Sequence, residues 1–342
     1  MQLESESALA MASAKMQEFS QRVQLIRAGL HQVIVGQDET LDLLLTCALT
    51  GSHALLMGVP GLAKTLMVKA LAASFDWKFS RIQFTPDLMP SDITGFELLG
   101  AESPSADRGM VFRRGPLFAN LVLADEINRA APKTQSALLE AMAEHHVTVG
   151  GRTYPLEEPF LVVATQNPIE QEGTYPLPEA QLDRFMMEIR IDYPSPAQEQ
   201  EIVMQTTSRV APLPKPLLDR TAFLEMRDLV WAVPVPSSVA AFAVRLCAAS
   251  RPGSVESTKD ARDYVAWGAG PRGSQNLVLA AKAWSLLHGR SVPTVHDVIR
   301  LALPVLRHRL LVNHRAVGDG LCSDDIVRRL MENVPVDASI VE

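Results

Sequence analysis

Short apolar runs and helical repeats alternate through the first half of the chain. The runs, rich in apolar residues, occupy 54–57, 81–85, 121–124, 160–165 and 185–191. Apolar residues at helical spacing precede or separate them, at about 19–34, 41–49, 66–75 and 133–143. Short apolar runs are typical of buried strands. Strands that alternate with helices predict a parallel sheet covered on both faces.

Two stretches interrupt this alternation. Residues 92–113 carry glycine and proline between apolar positions, and residues 145–159 have the pattern of strand, Gly150-Gly151 turn and strand. A glycine pair between two strand-like runs is typical of a tight hairpin turn. Both stretches are therefore predicted to be hairpin-like insertions in the core.

A proline-rich segment marks the predicted domain boundary. In residues 193–196, Tyr-Pro-Ser-Pro, the residue before each proline is pushed out of helical geometry, which ends the last strand. The pattern beyond this segment is helical almost throughout. The predicted fold class is α/β, with a polar N-terminal segment at 1–18, a parallel-sheet domain at 19–194 and a small all-α domain at 195–342.

Composition and charge narrow the classes of partner. The formal charge is -7 and the pI is near 5.7, so nucleic acid is not an expected partner. The first residues lack the apolar core of a signal peptide, and no uncharged run approaches the roughly 20 residues that span a bilayer. Cys47, Cys247 and Cys322 have the spacing of neither a disulfide framework nor a zinc site. We expect a cytoplasmic protein with buried thiols and no direct membrane insertion.

A phosphate-binding loop is predicted at residues 58–65, Gly-Val-Pro-Gly-Leu-Ala-Lys-Thr, between a strand and a helix. Such a loop wraps backbone N–H groups around the β- and γ-phosphates at the positive end of the following helix. Lys64 is expected to contact the phosphates and Thr65 to hold Mg²⁺. Ala63 stands where this pattern usually has glycine, and its methyl group is tolerable if φ is negative there. A plain Gly/Pro turn is the alternative interpretation, which the flanking strand and helix disfavour.

Two adjacent carboxylates follow the run at 121–124. Asp125 is predicted to bind Mg²⁺ through water, and Glu126 to act as the general base on the attacking water. Taken alone, an Asp-Glu pair after a strand is usually a solvated helix start. Downstream of a phosphate-binding loop, the functional interpretation is favoured.

Polar groups at three later positions add to the candidate site. Asn167 follows the run at 160–165 and could orient the attacking water, although an Asn-Pro pair is otherwise a turn signal. Arg184 precedes the last strand, and Arg272 opens a helix in the second domain. A guanidinium suits the charge that develops on a transferring phosphoryl group, but most arginines are only solvated or ion-paired.

Two other features near these motifs have ordinary alternatives. Arg129 lies close to the carboxylates in sequence, where it could reach a neighbouring subunit or form an ordinary ion pair. His145 and His146 are adjacent, and adjacent residues of a strand face opposite ways, so a metal site is not predicted there.

In their order, these motifs resemble those of the MoxR family of AAA+ ATPases, in the helix-2-insert clade. The resemblance extends over about residues 33–310. The matching segments are 58–65, 125–129 (Asp-Glu-Ile-Asn-Arg), 164–168 (Ala-Thr-Gln-Asn-Pro), 177–185 (Leu-Pro-Glu-Ala-Gln-Leu-Asp-Arg-Phe) and 270–272 (Gly-Pro-Arg). Five motifs in order make the resemblance specific.

The resemblance implies a role for each motif. Lys64 and Thr65 would belong to Walker A, Asp125 and Glu126 to Walker B, Asn167 would be sensor 1, Arg184 the arginine finger and Arg272 sensor 2. Residues 35–37 would lie against adenine, 92–113 would be the helix-2 insert, 145–159 the pre-sensor-1 hairpin, and the small all-α domain the lid. The implied nucleotide contacts are Val35, Gly36, Gln37, Gly58, Val59, Pro60, Gly61, Leu62, Ala63, Lys64, Thr65 and Leu66. Gly273 stands where relatives usually have alanine, which is expected to loosen the sensor-2 helix.

The activity implied by the resemblance is Mg²⁺-dependent ATP hydrolysis in a ring, thought to be a hexamer. Such a ring would remodel a client protein, often alongside a partner with a von Willebrand factor A (VWA) domain. An alternative within the same fold is the ATPase subunit of a metal chelatase. A scaffold that binds ATP without turnover would have no use for Glu126, and a DNA translocase is disfavoured by the net charge. The sequence does not identify the client.

Overall fold

In the computed structural model, residues 2–99, 110–169, 173–208 and 212–336 are described, with side chains from residue 14 onward. The strands in chain order are β1 (His53–Met57), β2 (Phe79–Gln83), β3 (Gly95–Leu99), β4 (Met110–Arg114), β5 (Leu121–Asp125), β6 (His146–Val149), β7 (Arg152–Pro155), β8 (Leu161–Gln166), β9 (Phe185–Arg190), β10 (Val265–Trp267) and β11 (Leu311–Val312).

The helices in chain order are α1 (Gln2–His31), α2 (Asp38–Thr50), α3 (Lys64–Ser74), α4 (Pro90–Thr94), α5 (Pro132–Glu144), α6 (Glu179–Leu182), α7 (Pro196–Ser208), α8 (Arg220–Ala232), α9 (Ser237–Ala249), α10 (Lys259–Tyr264), α11 (Pro271–Leu287), α12 (Val295–Leu306), α13 (His314–Gly318) and α14 (Ser323–Asn333). Short 3-10 helices occupy Ile127–Arg129 and Arg307–Arg309.

The centre of the molecule is a parallel sheet with the strand order β2-β5-β8-β1-β9. Neighbouring residues of a strand face opposite sides of a sheet, so Leu55 and Leu56 enter two different apolar clusters. One cluster includes residues of α1, α2, α3, α8 to α12 and α14, and the other includes residues of α5. The predicted parallel sheet with both faces covered is therefore confirmed.

The predicted elements of the first domain lie close to their predicted positions, with one extension. Helix α1 begins at Gln2, so it runs through the segment 1–18 as well as the helical repeat predicted from residue 19. Phe19, Val23, Ile26 and Leu30 are buried, as their spacing predicts. Among the described residues, no single helix is long and apolar enough to cross a membrane, and only the sharply bent pair of α8 and α9 passes that test together.

The two predicted insertions are antiparallel hairpins, β3–β4 and β6–β7. Residues 100–109, in the middle of the first insertion, lie outside the described residues. The two hairpins pack on each other. The rings of Phe112 and Tyr154 stack with centroids 4.0 Å apart. Gly150 lies so close to Glu97 that a Cβ atom added to it would be 2.4 Å from Glu97 Oε2. Exposed apolar side chains of the first hairpin are Phe96, Leu98, Leu99, Met110 and Val111.

Within the described residues of the second domain, the β10–β11 pair is the only strand pair, and the helical pattern did not predict it. Gly273 lies in the first turn of α11, where an added Cβ would meet Cys247 Sγ at 3.2 Å and Leu306 Cδ2 at 3.3 Å. A glycine here allows α11 to approach α9 and α12 closely, which offsets its lower helix propensity. Cys47 and Cys247 are buried as expected, but Cys322, the N-cap residue of α14, is exposed.

Candidate active site

The predicted phosphate-binding loop connects β1 to α3. Gly61 has φ 88° and Ala63 has φ 55°, so both residues adopt left-handed geometry. The condition set for Ala63, a negative φ, is not met, and an alanine in this region costs roughly 1–2 kcal/mol relative to glycine. Ala63 is also the N-cap of α3 and makes no side-chain hydrogen bond to the helix. The first N–H groups of α3 therefore remain available to an anion.

Lys64 and Thr65 are the first two residues of α3, at the carboxyl end of β1. Lys64 Nζ donates a hydrogen bond to the carbonyl of Gly58 at 2.5 Å, which holds the amine over the loop. Burial lowers the pKa of Lys64, while the nearby carboxylates of Asp125 and Glu126 oppose this shift. The amine thus lies beside the two predicted Walker B side chains.

Asp125 ends the fully buried strand β5, and both of its carboxylate oxygens are bound. Oδ1 accepts a hydrogen bond of 2.6 Å from the hydroxyl of Thr165, on the neighbouring strand β8. Oδ2 accepts from Arg81 Nη2 at 2.6 Å and Nε at 3.0 Å, on the other neighbouring strand β2. The strands on either side therefore fix the orientation of this carboxylate.

Glu126 follows directly with φ 56° and ψ 50°, a left-handed conformation uncommon for a non-glycine residue. Its backbone N–H donates to Thr165 Oγ1 at 2.9 Å, so one hydroxyl connects Asp125 and Glu126. Its Oε2 accepts from Gln83 Nε2 at 2.9 Å and pairs with Arg129 Nε at 3.1 Å. Arg129 thus forms an ion pair within its own chain, one of the two roles considered for it.

Asn167 follows β8 and is almost fully buried. Its Oδ1 accepts a hydrogen bond from the backbone N–H of Ile169 at 3.1 Å, which orients the amide. Strand β8 lies between β5 and β1, so Asn167 lies at the sheet edge between the carboxylates and Lys64. The carboxyl ends of adjacent parallel strands therefore bring these predicted residues together.

The predicted adenine-contacting segment also reaches this edge. Gly36 and Gln37 have positive φ, and Gln37 Nε2 donates to the carbonyl of Asp192 at 3.0 Å. The neighbouring residue Ile191 lies against the phosphate-binding loop. A Cβ atom added to Gly58 of that loop would be 3.3 Å from the carbonyl oxygen of Ile191. The chain that follows β9 thus connects the two predicted nucleotide-contacting segments.

Arg184 lies at the opposite end of the sheet. It directly precedes β9, whose first residue, Phe185, is paired with His53, the first residue of β1. The phosphate-binding loop follows the last residue of β1, and a strand of this length separates the two positions by on the order of 15 Å. Arg184 Nη1 donates to the carbonyl of Leu139 in α5. The structure does not bring Arg184 together with the phosphate-binding loop of its own chain.

Arg272 lies with Arg184 rather than with Lys64. Its Nη1 forms an ion pair of 3.3 Å with Oδ2 of Asp183, the residue directly before Arg184. The other oxygen of Asp183 accepts a hydrogen bond of 2.8 Å from the buried Arg309. The two predicted arginines therefore share one end of the molecule.

Sequence reasoning did not assign several side chains that hold the predicted ones in place. Arg81 was visible only as a charged residue within an otherwise strand-like run, and Thr165 as part of the Asn167 motif. Gln83 gave no signal, because its contact with Glu126 depends on which strand neighbours β5.

Two family models match the chain. Residues 53–187 match the model described as the ATPase family associated with various cellular activities (AAA), and residues 257–330 match the AAA lid domain. A solved structure of a putative ATPase from Cytophaga hutchinsonii superposes with a TM-score of 0.87 and 37% identity, over 96% of this chain and 99% of the other.

Similar sequences extend the comparison to nearly the whole chain. The chaperone MoxR1 of Mycobacterium tuberculosis is 43% identical, over 89% of this chain and 79% of that protein. YeaC of Bacillus subtilis, an uncharacterized protein, is 42% identical over 91% and 94%. The protein MoxR of Paracoccus denitrificans is 32% identical over 84% and 87%. The chain therefore belongs to the MoxR family of AAA+ ATPases.

Proposed function

We propose that this protein hydrolyses ATP with Mg²⁺ and uses the energy to remodel or assemble a partner protein. The observation that supports hydrolysis is the convergence of Lys64, Asp125, Glu126 and Asn167 at the carboxyl ends of β1, β5 and β8. Open parallel sheets bind their ligands at this edge. Family membership supports nucleotide chemistry in general, and the arrangement of these side chains supports turnover in particular.

Each side chain has a role in this proposal. The amides at the start of α3 and the amine of Lys64 bind the β- and γ-phosphates, and residues 35–37 contact the adenine. Thr65 and Asp125 hold the Mg²⁺, Asp125 through water, and the metal supplies positive charge against the phosphate oxygens when bound. Glu126 takes the proton of the attacking water, which Asn167 orients.

The proposed site is completed by a neighbouring copy. Arg184 and Arg272 lie together at the far end of the sheet from their own phosphate-binding loop. In a ring, that end of one subunit would face the nucleotide of the next. A guanidinium supplied in this way stabilises the charge that develops during phosphoryl transfer. We propose a closed ring, with six subunits as the expected number.

The two stacked hairpins are the proposed contact with the client. They carry no nucleotide-contacting motif, and the first exposes the apolar side chains described above. The further proposals are a cytoplasmic location, a VWA-domain partner, and neither nucleic acid nor direct membrane insertion. The chelatase-type ATPase remains the second candidate, since its fold would share the site.

The proposed Mg²⁺ site can be tested at Thr165. Replacement by valine removes the hydroxyl that connects Asp125 and Glu126. It breaks one buried and one partly buried hydrogen bond, and an unpaired buried polar group costs about 1–3 kcal/mol. Wild-type turnover is expected to require Mg²⁺, and Thr165→Val is expected to lose roughly tenfold or more in turnover and to require more Mg²⁺. Thr148→Val on the β6–β7 hairpin, which is exposed, is the matched control. Turnover of Thr165→Val at the wild-type rate and Mg²⁺ requirement would contradict this assignment.

The remodelling role can be tested by partner capture. A Glu126→Gln variant is expected to retain ATP, and a Lys64→Ala variant is expected not to bind it. Proteins retained only by the first variant are candidates for clients and partners, identified by mass spectrometry. A VWA-domain protein among them would support the remodelling proposal, whereas chelatase subunits would favour the second candidate. If both variants capture the same proteins, binding does not depend on ATP and the remodelling proposal fails.

A further inference from the structure

The second domain holds the chain around Arg184 through one buried arginine. Arg309 lies in the 3-10 helix Arg307–Arg309, and its side chain is only 1% exposed. Its guanidinium makes five hydrogen bonds, which equals the number of its N–H donors. One acceptor, the carbonyl of Val305, lies in the second domain, and the other four belong to residues 183–186.

Three of these four contacts are to backbone carbonyls on both sides of Arg184. Nη2 donates to the carbonyl of Asp183 at 3.2 Å and to that of Phe185 at 2.6 Å, and Nη1 donates to the carbonyl of Met186 at 3.0 Å. His308 Nε2 also contacts the Phe185 carbonyl, at 3.1 Å. The backbone immediately before and after Arg184 is therefore attached to the second domain by a rigid, planar group.

The fourth of these contacts, to the side chain of Asp183, extends the same arrangement to Arg272. Arg309 Nε donates to Asp183 Oδ1, while Oδ2 of that carboxylate pairs with Arg272. Arg309 is buried and fully bound, whereas the Arg272 side chain is 57% exposed and has its charged end near the surface. The carboxylate of Asp183 thus lies between the buried guanidinium of Arg309 and the exposed guanidinium of Arg272.

We infer that Arg309 is a positioning residue that holds Arg184 and Arg272 close to each other. Residues 183–186 and the second domain then move as one unit. Arg184 is set through its flanking backbone, and Arg272 through the carboxylate of Asp183. This inference rests on the proposed shared site. It adds that the geometry of the donated arginines depends on a residue that itself touches no nucleotide.

The test uses Arg309→Lys, with Arg307→Lys as the matched control. Lysine keeps the charge but has three donors, so at least two of the five acceptors lose their hydrogen bond to residue 309. Arg307 is buried in the same 3-10 helix but faces Asp324 instead of residues 183–186. A displacement of about 1 Å can cost roughly 10²-fold in rate, so kcat is expected to fall by about 10²-fold in Arg309→Lys. The Kd of a fluorescent ATP analogue is expected to change less than about twofold in either variant.

Mixing with Lys64→Ala separates positioning from a general folding defect. In mixed rings, an Arg309→Lys subunit would supply an intact Lys64, and a Lys64→Ala neighbour would supply correctly placed arginines. Activity is therefore expected to recover, as it should for Arg184→Ala mixed with Lys64→Ala. Wild-type kcat in Arg309→Lys, or no recovery on mixing where Arg184→Ala does recover, overturns the inference. Full activity of Arg184→Ala alone would instead overturn the proposed shared site.

Asp183→Asn covers the case in which Arg309→Lys does not fold. The asparagine oxygen can still accept from Arg309 Nε, so the backbone contacts remain, but the charge opposite Arg272 is lost. Turnover, measured below the thermal midpoint of the variant, is expected to fall to that of Arg272→Ala with unchanged nucleotide affinity. The thermal midpoint itself is expected to fall, because the buried Arg309 loses its counterion. Wild-type turnover in Asp183→Asn, with Arg272→Ala impaired, would show that the carboxylate does not place Arg272.

Discussion

Glu126→Gln is expected to bind Mg²⁺ and ATP like the wild type but to hydrolyse ATP at least about 10²-fold more slowly. A general base typically contributes 10²–10⁴-fold, and an amide cannot take the proton of the attacking water. Glutamine has nearly the same shape and keeps an oxygen for the contacts from Gln83 and Arg129. Steady-state phosphate release and equilibrium binding of a fluorescent ATP analogue measure the two properties separately.

The matched control for this variant is Glu140→Gln. Glu140 lies on the exposed face of α5, so the same chemical change there is expected to leave turnover unaltered. If Glu126→Gln hydrolyses ATP at the wild-type rate, Glu126 is not the base. If it loses nucleotide affinity as well as turnover, Glu126 also contributes to nucleotide binding, and its role is not that of a general base alone.

Lys64→Ala and Arg184→Ala are each expected to be inactive alone and to regain activity when mixed. In a mixed ring, some interfaces pair an intact Lys64 with an intact Arg184 of the neighbour. An arginine supplied in trans is worth roughly 10³–10⁵ in rate for related phosphoryl transfers, so the gain should be far above background. Arg184→Ala should also retain its affinity for ATP, since its position lies on the order of 15 Å from its own phosphate-binding loop.

The mixing experiment needs evidence of subunit exchange, which fluorescence energy transfer between two labelled preparations provides. If subunits exchange and the mixture remains inactive at every ratio, either Arg184 acts within its own chain or turnover needs more than one competent interface. A wild type that is monomeric by light scattering and fully active would exclude the shared site.

The sequence predicted the elements and the signature residues because both are encoded locally. A strand followed by a glycine-containing loop and a helix specifies the phosphate-binding loop, and an apolar run ending in Asp125 and Glu126 specifies the carboxylates. The side chains that orient them come from neighbouring strands. Arg81 and Thr165 contact Asp125 only because β5 lies between β2 and β8, and strand order is not encoded in any one segment.

Backbone conformation and contacts between distant residues also could not be predicted from local sequence patterns. The left-handed φ of Ala63 follows from the path of the whole loop, which the sequence pattern does not reveal for a residue with a methyl group. Asp183 and Arg309 are paired across 126 positions of sequence, between two domains. No periodicity or motif connects two such residues, so the role inferred for Arg309 required the folded chain.

The phosphate-binding loop and Arg184 lie at opposite ends of the sheet, and this affects how many complete sites a given number of subunits can form. Under the proposed shared site, the contact between two copies is heterologous, joining two different surfaces head to tail. A pair of subunits then completes one site and leaves one loop and one arginine end unused. Every open chain of subunits has one site fewer than it has subunits. Only closure into a ring gives each bound nucleotide its arginine, so complete activity becomes a property of the closed assembly.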